Sequence, residues 1–166
     1  VHPRRLLTLT TPVVHAWASW QAARGHRRGR PLSQAEREVA MAVGVSEPER
    51  VRLMLVDRVP IPGTAWLERI ARRLDLPGPD VDGLTLGETI FIRRTALSLA
   101  LLAHECRHVR QYEAAGTLGR FLRLYLQEVA RHGYHDAPME ADAREAAGQW
   151  ARSAAHRGRP GSGASG

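Results

Sequence analysis

His104-Glu105-Cys106-Arg107-His108 sets two imidazoles four residues apart with a carboxylate between them. On a helix, residues at that spacing project from one face, so both rings can bind a single tetrahedral metal ion. Zinc takes neutral nitrogen donors and leaves a position for water, and a neighbouring carboxylate can accept that water's proton. His104 and His108 are thus candidate ligands of one Zn2+ ion, and Glu105 is the candidate catalytic base. Shuffling this composition would give the pattern in roughly one sequence in forty, so its surroundings must carry the assignment. The segment is apolar enough to be buried, where Glu105 without a partner would be costly, and a cation relieves that cost.

Glu140 opens a later helix, after a break at Gly133 that lets the chain return towards the motif, and a carboxylate is an ordinary third ligand for zinc. Just upstream lie His132, Tyr134 and His135, any of which could donate to the oxyanion of a tetrahedral intermediate. Tyr134 is the favoured catalytic donor. Its plain alternative is packing against the motif helix, and that of the two histidines is a solvated loop. Asp142 reads either as a carboxylate that orients a ligand histidine or as a surface acid near a helix start. Gln111, one turn beyond His108, reads as structural. Cys106 lies two residues from each histidine, which turns it away from their face; a closed site with Cys106 as fourth ligand is the alternative.

Several elements must position these groups. Ser33 and Glu36 form a capping box that starts a helix over 34–43, ended by Gly44. Residues 51–56 are short and apolar between charged flanks, so a strand competes with a helical turn. Thr64 caps a helix reaching Leu74, with Trp66, Leu67, Ile70 and Ala71 in one apolar stripe. After Pro77-Gly78-Pro79, Leu84-Thr85-Leu86 and Thr89-Ile90-Phe91-Ile92 flank Gly87-Glu88 as a tight hairpin. The motif then falls in a long helix over 95–115. A helix over 118–132 follows, with Leu118, Phe121, Leu122, Tyr125 and Val129 on its apolar side, and a last one opens at Asp136-Ala137-Pro138, with Asp as cap, and runs to Ala155.

All 24 basic residues are Arg, and the net charge is +7. Residues 1–31 contain six Arg and no acid, and residues 150–166 three Arg and no acid, which leaves 15 Arg against 17 acids between them. A folded nucleic-acid reader would concentrate Arg on its core domain, so solvated basic ends are the better reading and nucleic acid is not an expected partner. Residues 20–31 lack apolar periodicity and read as a linker or arm. The expected organisation is a basic, disordered arm or leader over 1–31, one domain over 32–155, and a disordered tail over 156–166. The single cysteine excludes an internal disulfide. No run approaches 18 consecutive apolar residues, so no membrane span is expected. Arg4, Arg5 and the stretch to Ala18 resemble a weak signal peptide; the expectation is a cytoplasmic protein, with secretion as the alternative.

Leu102-Ala103-His104-Glu105-Cys106-Arg107-His108-Val109-Arg110-Gln111, then His132-Gly133-Tyr134 and Pro138-Met139-Glu140-Ala141-Asp142-Ala143, resemble small bacterial gluzincin-type metallopeptidases. The likeness is greatest to a core-domain family linked to extracellular contractile injection systems and covers residues 81–147. It departs where Cys106 stands in place of an aliphatic residue. The resemblance implies an α+β fold, mostly α-helical and zincin-like, with a small β-hairpin beside the motif helix. It implies Glu140 as the third zinc ligand and hydrolysis of peptide bonds through a zinc-bound water activated by Glu105. By analogy, Ile90 to Ile92 would form an edge strand on which a substrate backbone aligns. The partners would be a peptide or protein substrate and a larger protein assembly. The alternative is a non-catalytic, zinc-stabilised interaction or adaptor module of such an assembly.

Overall fold

Thr89–Arg93 is apolar on both faces, the pattern of a strand enclosed between two layers. The structure is a computed structural model that describes residues 3–62 and 81–157, with side chains from residue 12 onward. In it this segment is an inner strand of a four-stranded sheet. The strands are β1 (Arg30–Pro31), β2 (Arg52–Val56), β3 (Gly83–Leu86) and β4 (Thr89–Arg93), in the order β1-β2-β4-β3. β4 runs parallel to β2 and antiparallel to β3. The ambiguous stretch 51–56 is therefore a strand. Its pairing also corrects the expected edge: Ile90 to Ile92 are interior because β2 occupies their other side, and among the described residues β3 and the two-residue β1 are the edges. Gly87, at φ +66°, closes the two-residue turn between β3 and β4.

Among the described residues five helices surround the sheet: α1 (Pro3–Arg28), α2 (Gln34–Ala42), α3 (Leu99–Ala115), α4 (Leu118–His132) and α5 (Pro138–Arg157). The period-two alternation of the strands sorts them into two layers. Leu53, Ile90 and Ile92 pack with Val39 and Val43 from the α2 region and with Leu102, Cys106 and Val109 of α3. Leu86 and Phe91 face the other way, towards Ala18 of α1 and Phe121 and Leu122 of α4. α5 lies along α3. The result is a mostly helical α+β fold with a small mixed sheet.

Local chemistry fixes most helix ends. Ser33 and Glu36 form the full capping box of α2. The motif helix starts at Leu99 rather than at residue 95, because Ser98 accepts the Leu101 N–H as its cap and Arg94–Ala96 form a separate 3-10 turn. Gly116, at φ +81°, ends it. Asp136, expected to cap α5, is exposed, and Glu128 of α4 instead accepts the Met139 N–H at 2.8 Å. The expected helix over 64–74 lies outside the described residues, as does the expected tail over 156–166 apart from His156 and Arg157, which end α5. Among the described residues no helix is long and apolar enough to cross a membrane.

The expected disordered arm over 1–31 is corrected by α1 and β1. Residues 3–28 are helical, and α1 packs on α4 and on the sheet. Its contact stripe combines Trp17 and Gln21 with small residues: Ala18 is fully buried, and Gly25 sits so close to β4 that a Cβ there would meet the Thr89 methyl at 2.2 Å. The Thr89 hydroxyl donates to the Ala22 carbonyl at 3.1 Å. Where the stripe is Ala18, Ala22 and Gly25 it has almost no hydropathic signature, so the close backbone approach is not marked by large apolar residues.

Candidate metal centre

α3 uses its faces for different tasks. His104, His108 and Gln111 recur at four and three residues, so they share the face turned to α5. Cys106 points the opposite way, into the core between α2 and the sheet, where burial raises its thiol pKa. It is not near the imidazole face. Glu105 points towards β3. Glu140, in the first turn of α5, closes the cluster from the other helix.

The Nε2 atoms of His104 and His108 are 3.2 Å apart, His104 Nε2 lies 3.3 Å from Glu140 Oε2, and His108 Nε2 lies 3.3 Å from Glu140 Oε1. His104 meets one oxygen of Glu140 and His108 the other; ligands about 2.0–2.1 Å from a tetrahedral zinc ion are roughly 3.3–3.4 Å from one another, and each of these three contacts is of that size. Glu140 Oε2 is buried with no hydrogen-bond partner. Burial opposes a charge on Glu140, yet contacts from His104, His108 and the Tyr125 hydroxyl outweigh it and hold its carboxyl well below the usual range. Burial likewise opposes charge on His108, and Glu140 overcomes it to raise the imidazole pKa. Two imidazoles and one anionic carboxylate are a chemically ordinary donor set for zinc, and the residues present fit one ion.

Glu105 is 4% exposed and rests on β3. The Thr85 hydroxyl meets its Oε2 at 2.7 Å and its main-chain oxygen at 3.0 Å. Gly83, two residues away on the same face of the strand, leaves room for the rest of the side chain: a Cβ there would lie 2.3 Å from Glu105 Oε1 and 2.7 Å from its Cδ. Burial pushes the Glu105 carboxyl pKa up, which makes its carboxylate a stronger base. The side chain borders a cleft of about 590 Å³ that is also lined by Gly83, Leu101, His104, Tyr134 and Arg144. A second cleft, about 410 Å³ between Arg107, Glu145 and Trp150, contains neither imidazole nor Glu105.

Tyr134 thus lines the same cleft as His104 and Glu105, and burial followed by the charge of Glu140 raises its phenol pKa. His132 and His135 are exposed. Asp142 does not touch a histidine. It takes a two-pronged ion pair from Arg107, at 2.8 Å on each oxygen, and accepts from Gln111 at 2.7 Å. Besides the Thr85 hydroxyl on Glu105, contacts to two of the clustered side chains escaped sequence reasoning. Tyr125, counted among the apolar residues of α4, donates its hydroxyl to Glu140 Oε1 at 2.7 Å. Gln111, read as structural, lies 2.8 Å from His108 Nδ1. Its one available signal was its place on the face of the two histidines, one turn on.

Comparison of the chain with protein-family models, with curated proteins and with solved structures finds no match.

Proposed function

We propose that the chain is a zinc-dependent peptidase in which His104, His108 and Glu140 hold one Zn2+ ion and Glu105 is the general base. The observation that carries this reading is the set of three contacts, 3.2 to 3.3 Å long, that joins His104, His108 and the two oxygens of Glu140, with His104 beside the buried, basic carboxylate of Glu105 in the wall of one cleft. A bound zinc ion supplies Lewis acidity, polarising a carbonyl oxygen and making water a better acid. Glu105 then accepts a proton from water and passes it to the leaving amine. Thr85 holds Oε2, which leaves Oε1 of Glu105 to carry the proton. Tyr134, kept protonated by its raised pKa, donates to the oxygen on which negative charge develops. His104 is the ligand nearest the open side of the cluster, with 17% of its side chain exposed against 7% for His108. The arrangement of hairpin, motif helix and acidic helix is in keeping with a zincin-like fold, and the motif residues alone support the resemblance to the injection-system core-domain family and to a role within a larger assembly.

Glu105→Gln tests the reading. Peptide cleavage should fall by about 10²–10⁴-fold with zinc content unchanged, and equal cleavage by both proteins would exclude this mechanism. A second reading, a non-catalytic module stabilised by zinc, draws on the burial of His108 and Glu140, through which an ion would tie α3 to α5. Under it, chelation unfolds the chain and no peptide is cut.

A further inference from the structure

We propose that Gln111 is a positioning residue that selects which ring nitrogen of His108 faces the cluster. The inference deepens the zinc reading and rests on it for its use, though not for its geometry. Gln111 Nε2 donates to the Met139 carbonyl at 2.9 Å and to Asp142 Oδ2 at 2.7 Å, so both amide hydrogens are committed to α5. The reverse orientation would set the amide oxygen against two acceptors at those distances, which excludes it. Oε1 is therefore the atom that faces His108 Nδ1 at 2.8 Å, and a carbonyl oxygen can only accept. The proton of the neutral His108 ring must sit on Nδ1. Nε2 is left with its lone pair turned towards Glu140 and His104, where a metal ligand needs it.

Asp142 gains its function through this amide. Arg107 grips both of its oxygens and also donates to the Val43 carbonyl at the end of α2 at 2.9 Å, so the acceptor that orders Gln111 is itself fixed from two directions. Glu140 and Asp142 are two residues apart on α5. One turn of one helix thus supplies a ligand and, through Gln111, the orientation of another.

The test uses the full chain labelled with 15N-histidine, metal-free at a pH where the ring is neutral and again loaded with zinc. Long-range 15N–1H spectra should show the His108 proton on Nδ1 in both samples. In Gln111→Leu, competition with a chromogenic chelator should read zinc binding weakened 10- to 100-fold, the usual effect of removing an orienting partner. Circular dichroism reports whether that variant folds, and if it does not, the wild-type spectra decide alone. A proton on Nε2 of His108 in the metal-free wild type, or unchanged zinc affinity in folded Gln111→Leu, overturns the proposal. Absence of peptide cleavage would count against the peptidase reading and leave both readouts intact. A chain that takes up no zinc would end that reading too, while the metal-free spectrum would still decide the role of Gln111.

Discussion

Glu105 and Glu140 are both nearly removed from solvent, at 4% and 2% exposure, yet their carboxyl groups are driven in opposite directions. On the strand side of α3, Glu105 receives one hydroxyl, from Thr85, and burial prevails. On the α5 side, Glu140 meets two imidazoles and the Tyr125 hydroxyl, and these prevail over burial. Depth in the protein therefore does not assign the roles. The number and charge of the donors around each carboxylate separates them, leaving Glu105 with a raised pKa and Glu140 a standing anion, as the proposed mechanism needs of a base and a ligand.

The largest expected break in this contrast is Glu140→Gln, which removes the anion while keeping the shape. Zinc affinity should drop by more than about 100-fold, beyond the usual loss from an orienting partner, as read by equilibrium dialysis. Retained affinity would mean that the two glutamates are not differentiated by ligation. Gly83→Ala acts on the other member alone. Its Cβ would displace the Glu105 carboxylate, so cleavage should fall by about 10- to 100-fold while zinc binding stays at the wild-type value, because a misplaced base is costly without any lost ligand. The smallest effect concerns a third buried glutamate, Glu36 of α2. Hydrogen bonds from Arg30, at 2.7 Å on each oxygen, hold Glu36 down at about 2 against an ordinary 4.5. Because the folded pKa is depressed, this stabilisation is present above about pH 4.5 and is lost as pH falls towards 2. Glu36→Gln should lower the Tm at neutral pH and flatten its fall over that window. The difference should be on the order of 1 kcal/mol, since half-exposed Arg30 lets water screen the pair.

The parts legible in the sequence were those written locally. The four-residue spacing of His104 and His108, the capping box at Ser33, the Gly87 turn and the opening of α5 near Glu140 each depend on neighbours in the chain. What could not be read depends on partners that arrive from elsewhere. Tyr125 sits on an apolar stripe and differs from Phe121 only by a hydroxyl whose acceptor belongs to another helix. Gln111 acquires meaning from the Met139 carbonyl and Asp142, again supplied by α5. The parallel pairing of β2 with β4 joins strands separated by more than thirty residues, so the interior place of β4 was not available from the hairpin alone. Thr85 is the instructive middle case. Once the hairpin was recognised, alternation already placed Gly83 and Thr85 on one face of β3, and only the direction of that face relative to α3 was missing.

That alternation gives the turn at Gly87 an influence well beyond its own neighbourhood. Its two residues index the ladder, pairing Gly83 with Ile92 and Thr85 with Ile90. Slippage by a single residue would rotate both away and bring the bulk of Leu84 beneath Glu105, leaving the base without its hydroxyl anchor or its empty seat. Lengthening the turn by one residue is thus a change at the far tip of a hairpin that, under the proposed mechanism, would be felt as a fault in proton transfer with every side chain of the site still present in the chain.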